Sequence, residues 1–262
     1  MTYGDGPLLV IAGAGTGKTR VLTYRIAYLL RERGVAPSSI LAVTFTNKAA
    51  AEMKERLLAL VGAAAQRVWA GTFHAACVQI LRQHADRVGY AKRFAIADTA
   101  DQLAAVRQAL KELDMDAKKF DPRAMLSAIS AAKNELISAD EYGERATDFW
   151  EKSVARVYPV YQRILNSSDC LDFDDLIMQT VVVFQHHPEV LAMYRQRLHY
   201  VLVDEYQDTN HAQYRLVRLL AGEDGNLCVV GDADQSIYRF RGADIRNILS
   251  FTGDYPSAAV IK

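Results

Sequence analysis

The chain has no net charge: 31 lysines and arginines balance 31 aspartates and glutamates over 262 residues. That balance removes any global electrostatic argument for a nucleic-acid partner and leaves only local patches to argue from. Cysteine is scarce. Cys77, Cys170 and Cys228 are far apart, odd in number and without a CxxC spacing, so neither a disulfide framework nor a thiolate zinc site is suggested, and a reducing cytoplasm is the expected location. Also lacking are an apolar run of membrane-spanning length, a charged-then-apolar leader after Met1, an internal repeat and a low-complexity tract. What is present is a globular composition, half of it hydrophobic, sufficient for one large or two ordinary domains.

The chemistry concentrates first in Leu8 to Thr19, LLVIAGAGTGKT. Four apolar residues read as a short buried strand that runs into a loop with Gly13, Gly15 and Gly17, followed by Lys18 and Thr19. Glycines let consecutive backbone amides turn toward one anion, and the following helix adds its positive N-terminal end. Lys18 can then reach the outer phosphates and Thr19 can ligate magnesium. Ala12 stands where the strict P-loop pattern has glycine, and Lys18 stands where a dinucleotide fingerprint needs its third glycine, which makes the dinucleotide reading poor. The plain alternative is a glycine-rich turn before a helix.

Further along, Leu22, Ile26, Leu29 and Leu30 fall at helical spacing, Ile40 to Phe45 reads as a second strand, and Thr46 can cap a helix with Met53, Leu57, Leu60 and Val61 inward. Val68 to Ala70 reads as a third strand before a helix containing Phe73, Cys77, Ile80 and Leu81. This is the rhythm of a parallel α/β sheet. From about Thr99 to Gln185 the signals are almost all helical. Thr99 with Gln102 reads as a capping box, Asp121-Pro122 and Ser138 with Glu141 as further starts, Asp172 as a cap, and Pro159 as a kink in a long apolar stripe. The sheet resumes at Tyr200 to Val203, Leu227 to Val230 and Ala258 to Ile261.

The strand VLV ends in Asp204-Glu205, where a P-loop protein keeps its second magnesium element: Asp204 to hold the ion, Glu205 to orient or deprotonate the attacking water. The next strand ends in Gly231-Asp-Ala-Asp-Gln235. In a parallel sheet that edge lies beside the phosphate loop, so the neutral amide of Gln235 can sense a γ-phosphate. Tyr238, Phe240 and Arg241 then mix aromatic platforms with cations.

AGAGTGKT, TFTNKAA (44–50), GTFHA (71–75), VDEYQDTN (203–210) and GDADQSIYRFRGAD (231–244) together resemble, in order, successive motifs of superfamily 1 DNA helicases of the UvrD/Rep/PcrA type. The resemblance covers essentially the whole chain. It implies an α/β, RecA-like P-loop domain over 1–86 and 187–262 with an all-helical accessory insertion over 87–186. It implies ATP and Mg2+ as cofactors, with ATP bound by Ala12, Gly13, Ala14, Gly15, Thr16, Gly17, Lys18, Thr19 and Arg20, metal held by Thr19 and Asp204, and hydrolysis assisted by Lys18, Glu205 and Gln235.

Single-stranded DNA is the implied partner, lined by Phe45, Asn47, Thr72, His74, Tyr238, Phe240 and Arg241, with movement 3′ to 5′. Phe240 stands where the family usually has tryptophan, which weakens stacking. Phe45 fits core or DNA contact equally, Phe73 fits core better, and His74 also fits a plain surface position. The family carries an adenine-reading glutamine segment upstream of the first strand, where this chain has seven residues before Leu8, and a second RecA-like domain that supplies arginines to the γ-phosphate. The expectation is thus the first half of a motor, bound to nucleotide and poor in turnover. A helicase subunit of a recombination nuclease and a non-catalytic ATP- or DNA-binding module are the alternatives.

Overall fold

The computed structural model describes residues 2–13, 17–232 and 246–262. Strand β1 (Leu8–Ile11) leads to α1 (Lys18–Arg31), and β2 (Ile40–Thr44), α2 (Asn47–Val61), β3 (Trp69–Thr72) and α3 (Phe73–His84) continue the alternation. A helical stretch follows: β4 (Ala95–Ile96), α4 (Thr99–Glu112), α5 (Pro122–Asn134), α6 (Ala139–Arg145), α7 (Phe149–Ser167), β5 (Cys170–Leu171) and α8 (Phe173–His186). Then α9 (Pro188–Arg197), β6 (Tyr200–Val203), α10 (His211–Ala221), β7 (Asn226–Gly231), two one-turn helices α11 (Arg246–Leu249) and α12 (Phe251–Asp254), and β8 (Ala259–Ile261) complete the chain. Two compact units result, Met1–Ala76 with Phe184–Lys262, and Cys77–Val183. Helices α3 and α8 each begin in one unit and end in the other, so the division falls inside helices and not at the loops where the sequence changes rhythm.

In the first unit six parallel strands pair in the order β3-β2-β6-β7-β1-β8, with Ala42 opposite Leu202, Leu202 opposite Cys228 and Val10 opposite Val230. Residues on alternate positions, Leu8, Val10, Ile40, Ala42, Leu202, Cys228 and Val230, share one core with Leu22, Ile26 and Leu29 of α1 and Met53 and Leu57 of α2. The intervening residues Leu9, Leu41, Val43, Val201, Val203, Leu227 and Val229 are buried as well. Both faces of the sheet are therefore covered, which is why these strands read as continuous apolar runs and not as alternations. The α/β class expected from the sequence is the observed one, a parallel sheet flanked by helices of the RecA-like P-loop kind. The third strand lies slightly later than expected, because Val68 closes a 3₁₀ turn by donating to Ala65 O, and Gly71 and Thr72 enter the ladder with β2.

The second unit packs Val106, Ala109 and Leu110 of α4, Met125 and Ile129 of α5, and Val154, Val157, Tyr158, Tyr161 and Leu165 of α7 into one core. The α4 cap is Asp98, one residue before the expected Thr99; its carboxylate accepts from the Ala100 and Asp101 amides at 2.7 and 2.9 Å, and Asp101 reciprocates. An aspartate with two amides in reach outcompetes the neighbouring threonine, and Gln102 instead donates to Ala97 O. Helix α7 runs through Pro159, which deletes the amide that would have reached back one turn. No helix among the described residues is long and apolar enough to cross a membrane.

One buried polar group anchors this unit. Lys133, fully buried on α5, donates to Asp172 Oδ2 at 2.6 Å and pairs with Asp175 Oδ1 at 2.8 Å at the start of α8; Tyr161 donates to Asp172 at 2.7 Å and Gln162 to Asp175 at 3.2 Å. Burial opposes charge on all three. The two carboxylates nevertheless hold Lys133 above its usual pKa, and its ammonium holds Asp172 below the carboxylate range, while at Asp175 burial wins and pushes the acid up. Lys133→Met should cost about 3–5 kcal/mol, because it strands two buried carboxylates. Those acids then bind protons more tightly folded than unfolded, so the variant loses further stability as pH rises above the unfolded carboxylate pKa of about 3.9. Urea unfolding at pH 5 and pH 8 should give the larger deficit at pH 8.

Candidate functional site

Parallel pairing brings the carboxyl ends of β1, β7 and β6 side by side. The Ala12 amide donates to Gly231 O at 3.0 Å, which fastens the start of the glycine loop to the end of β7. Gly17 lies in the left-handed region (φ 89°, ψ 37°), a conformation glycine adopts without strain, and no side chain caps the start of α1. The first amides of that helix are thus not consumed by a capping side chain, the arrangement that favours an anion at a helix N-terminus.

Lys18 is buried and pairs with Glu205 Oε2 at 2.8 Å, and the Thr19 hydroxyl donates to Asp204 Oδ2 at 2.7 Å across 185 residues of sequence. The loop's cation and hydroxyl and the two acids of β6 are therefore one cluster. Arg20 is exposed, its guanidinium 5.4 Å from the Tyr24 ring centroid on the same helix.

The oxygens of Thr19 and Asp204 fit a magnesium site. Their 2.7 Å separation is close to the edge of an octahedron with bonds of 2.0–2.1 Å, about 2.9 Å. Among the described residues no cluster of three or more His, Cys, Asp or Glu could hold a metal alone, so this pair suits a cation that takes further ligands from phosphate and water. Burial raises the pKa of Asp204 against the opposing effect of the Thr19 hydroxyl, and the neighbouring Glu205 raises it further. A cation beside Asp204 would reverse that bias.

Glu205 itself sits in the left-handed region (φ 48°, ψ 46°), which turns its side chain away from the line of β6 and toward Lys18. A non-glycine residue held there costs on the order of 1–3 kcal/mol, and the surrounding segment supplies the restraint. The Thr209 hydroxyl donates to Tyr206 O, Asn247 donates to Thr209 O at 2.9 Å, Asn210 caps α10, and the Tyr206 ring meets Phe251 edge-on at 5.9 Å. Tyr206, Thr209 and Asn210, which the motif pattern lists beside the acids, are thus scaffold.

Two polar residues of the same motif were passed over in the sequence. Gln207 is almost fully buried and donates from Nε2 to Glu205 Oε2 at 2.8 Å and to Asp208 Oδ2 at 3.3 Å, while its Oε1 accepts from the Asp232 amide at 3.0 Å. Burial, followed by the charge of Glu205, pushes Asp208 up to about 6. The only hint of either role is a position within two to three residues of Glu205.

The residues expected along DNA stand at the ends of β2 and β3, on the same edge but toward its other side. Phe45 is half-buried and meets Phe73 edge-on, with centroids 5.5 Å apart, and Phe73 belongs to the core. Asn47 is exposed at the start of α2. Thr72 is buried and its hydroxyl accepts from the Ala75 amide at 3.2 Å, so it caps α3. His74 is half-buried, and desolvation lowers its pKa, which favours a neutral imidazole at pH 7. Ala14, Gly15, Thr16, Gln235, Tyr238, Phe240 and Arg241 lie outside the described residues.

The ATP-dependent DNA helicase PcrA of Bacillus subtilis (strain 168) is 58% identical to the chain over 257 residues, which are 98% of this chain and 35% of that relative. Proteins of the same name from Staphylococcus aureus (strain Mu50 / ATCC 700699) and Staphylococcus epidermidis are each 56% identical with the same coverage. The chain thus spans about a third of the length of these curated relatives. The family model described as the UvrD/REP helicase N-terminal domain matches residues 1–256, and the chain belongs to the UvrD/REP helicase family.

Proposed function

We propose that this chain is the ATP-binding half of an ATP-dependent DNA translocase or helicase that acts in the cytoplasm and moves 3′ to 5′ on single-stranded DNA, with residues 87–186 as its helical accessory insertion. The observation that carries the reading is the convergence of Lys18 and Thr19 with Asp204 and Glu205 across 185 residues of sequence. Lys18 exchanges its Glu205 partner for the outer phosphate oxygens of ATP. Glu205, released from the ammonium, orients a water against the γ-phosphate and accepts its proton. Thr19 and Asp204 would hold Mg2+, which when bound neutralises charge on the β- and γ-phosphate oxygens. Lys18→Ala should weaken ATP binding about tenfold to a hundredfold, the effect of losing charge-assisted bonds worth about 1.5–3 kcal/mol. Titration calorimetry giving equal affinities for both forms would refute the phosphate site.

On the DNA side, Phe45 offers a partly exposed ring, Asn47 an exposed amide and His74 a neutral imidazole, groups that contact backbone and bases without reading sequence. With no net charge on the chain, binding to single strands should be weak, salt-sensitive and indifferent to base order. Fluorescence anisotropy with oligonucleotides of different sequence at fixed salt checks this; a steep preference for one of them counts against it.

Turnover is assigned differently from binding. In P-loop motors an arginine delivered from another domain or chain contributes on the order of 10³–10⁵ in rate. By family resemblance the donors belong to a second RecA-like domain. The 262-residue chain should therefore bind Mg-ATP yet show negligible DNA-stimulated ATPase and no unwinding, with both restored when the second domain is supplied. Robust DNA-stimulated hydrolysis by a verified monomer of this chain would reject that division.

A further inference from the structure

Glu205 has two donors in this structure, and one of them has other work. Lys18 Nζ and Gln207 Nε2 both reach Glu205 Oε2, each at 2.8 Å. When Lys18 turns to phosphate, the Gln207 carboxamide is the remaining described donor to that oxygen. Its other end is committed as well: Oε1 accepts from the Asp232 amide at 3.0 Å, directly after β7. Gly231 leaves room for this contact, since a Cβ there would stand 2.8 Å from Gln207 Oε1 and equally close to Ile248 Cδ1. Gly231 O in turn accepts from the Ala12 amide of the phosphate loop. A chain of polar contacts thus runs from the loop through the end of β7 and the Gln207 carboxamide to Glu205, and returns to α1 at Lys18.

We propose that Gln207 is a positioning residue whose single carboxamide ties the Glu205 carboxylate to the backbone at Asp232, so that the acid of β6 and the exit of β7 are placed together. The proposal rests on reading the site as an ATP-hydrolysis centre. The task needs a donor and an acceptor at one side-chain tip. Glutamate at this position supplies the acceptor alone, asparagine is one methylene too short, and methionine fills the space with neither function. In sequence, Asp232 stands three residues before Gln235, the residue expected to sense the γ-phosphate.

Two variants separate the two halves of the link. Gln207→Met removes both contacts at similar volume, and Gln207→Glu keeps an acceptor for Asp232 but loses the donor to Glu205. Both should bind Mg-ATP within about threefold of the native chain and, with the second RecA-like domain supplied, cleave bound, γ-labelled ATP in DNA-stimulated single turnovers at least about tenfold more slowly. Glu205→Gln combined with Gln207→Met should be no slower than Glu205→Gln alone, because a positioning residue has nothing left to position. In ¹⁵N-¹H spectra the Asp232 amide should shift and exchange faster in Gln207→Met and stay near its native position in Gln207→Glu.

Native cleavage in Gln207→Met, multiplicative losses in the double variant, or an unchanged Asp232 amide in Gln207→Met would each overturn the proposal. A native chain that does not bind Mg-ATP, or that with the second RecA-like domain supplied cleaves it no faster than Glu205→Gln, would instead overturn the hydrolysis reading and the proposal with it.

Discussion

Parallel pairing of β6, β7 and β1 is the constraint on which the site depends. With Leu202 opposite Cys228 and Leu8 opposite Cys228, the three strands run in one direction and end together. Val203, Gly231 and Ile11 therefore deliver Asp204, Asp232 and Ala12 to a single edge. The apolar pairs beneath are buried on both faces, so a register slip would carry a strand's end out of line with its neighbours and expose backbone groups that the ladder now satisfies. Hydrophobic packing under the edge thus sets the geometry of charged groups on top of it.

On that edge the charges neutralise one another. Lys18 pairs with Glu205, Thr19 with Asp204, and Gln207 with Glu205 and the Asp232 amide, so the cation, both acids and the hydroxyl have partners within the chain. Lys133 with Asp172 and Asp175 shows the same chemistry used for a different end. There the side chains are closed off from solvent, at 0%, 2% and 1% exposure, and the cluster fixes α5 against the start of α8. The Glu205 side chain, by contrast, is 37% exposed. An ion pair with one exposed partner can exchange that partner for an incoming ligand at modest desolvation cost, whereas a sealed one cannot.

The division of labour within VDEYQDTN follows from the left-handed turn at Glu205. Once the chain leaves β6 in that conformation, alternate side chains no longer share a face. Asp204 and Glu205 reach the phosphate loop, Tyr206 turns into the aromatic cluster with Phe251, and Gln207 turns back beneath Glu205. Eight consecutive motif residues therefore serve at least three structural purposes.

The sequence by itself determined the local chemistry: the glycine loop before Lys18 and Thr19, the two acids after an apolar strand, the α/β rhythm and the helical interruption, because each is written in periodicity or in a short contiguous pattern. It also located Thr46, Asp121, Ser138 and Asp172 as helix starts, since a cap lies within three residues of what it caps. The tertiary structure decided what depends on distant partners. The strand order β3-β2-β6-β7-β1-β8, the enclosure of Lys133 and the two-ended hold of Gln207 join residues tens of positions apart or depend on which way a turn throws a side chain. A one-dimensional pattern carries the types of residues and their spacing; it carries neither the register of non-neighbouring strands nor the desolvation that turns a polar side chain into a fixed link.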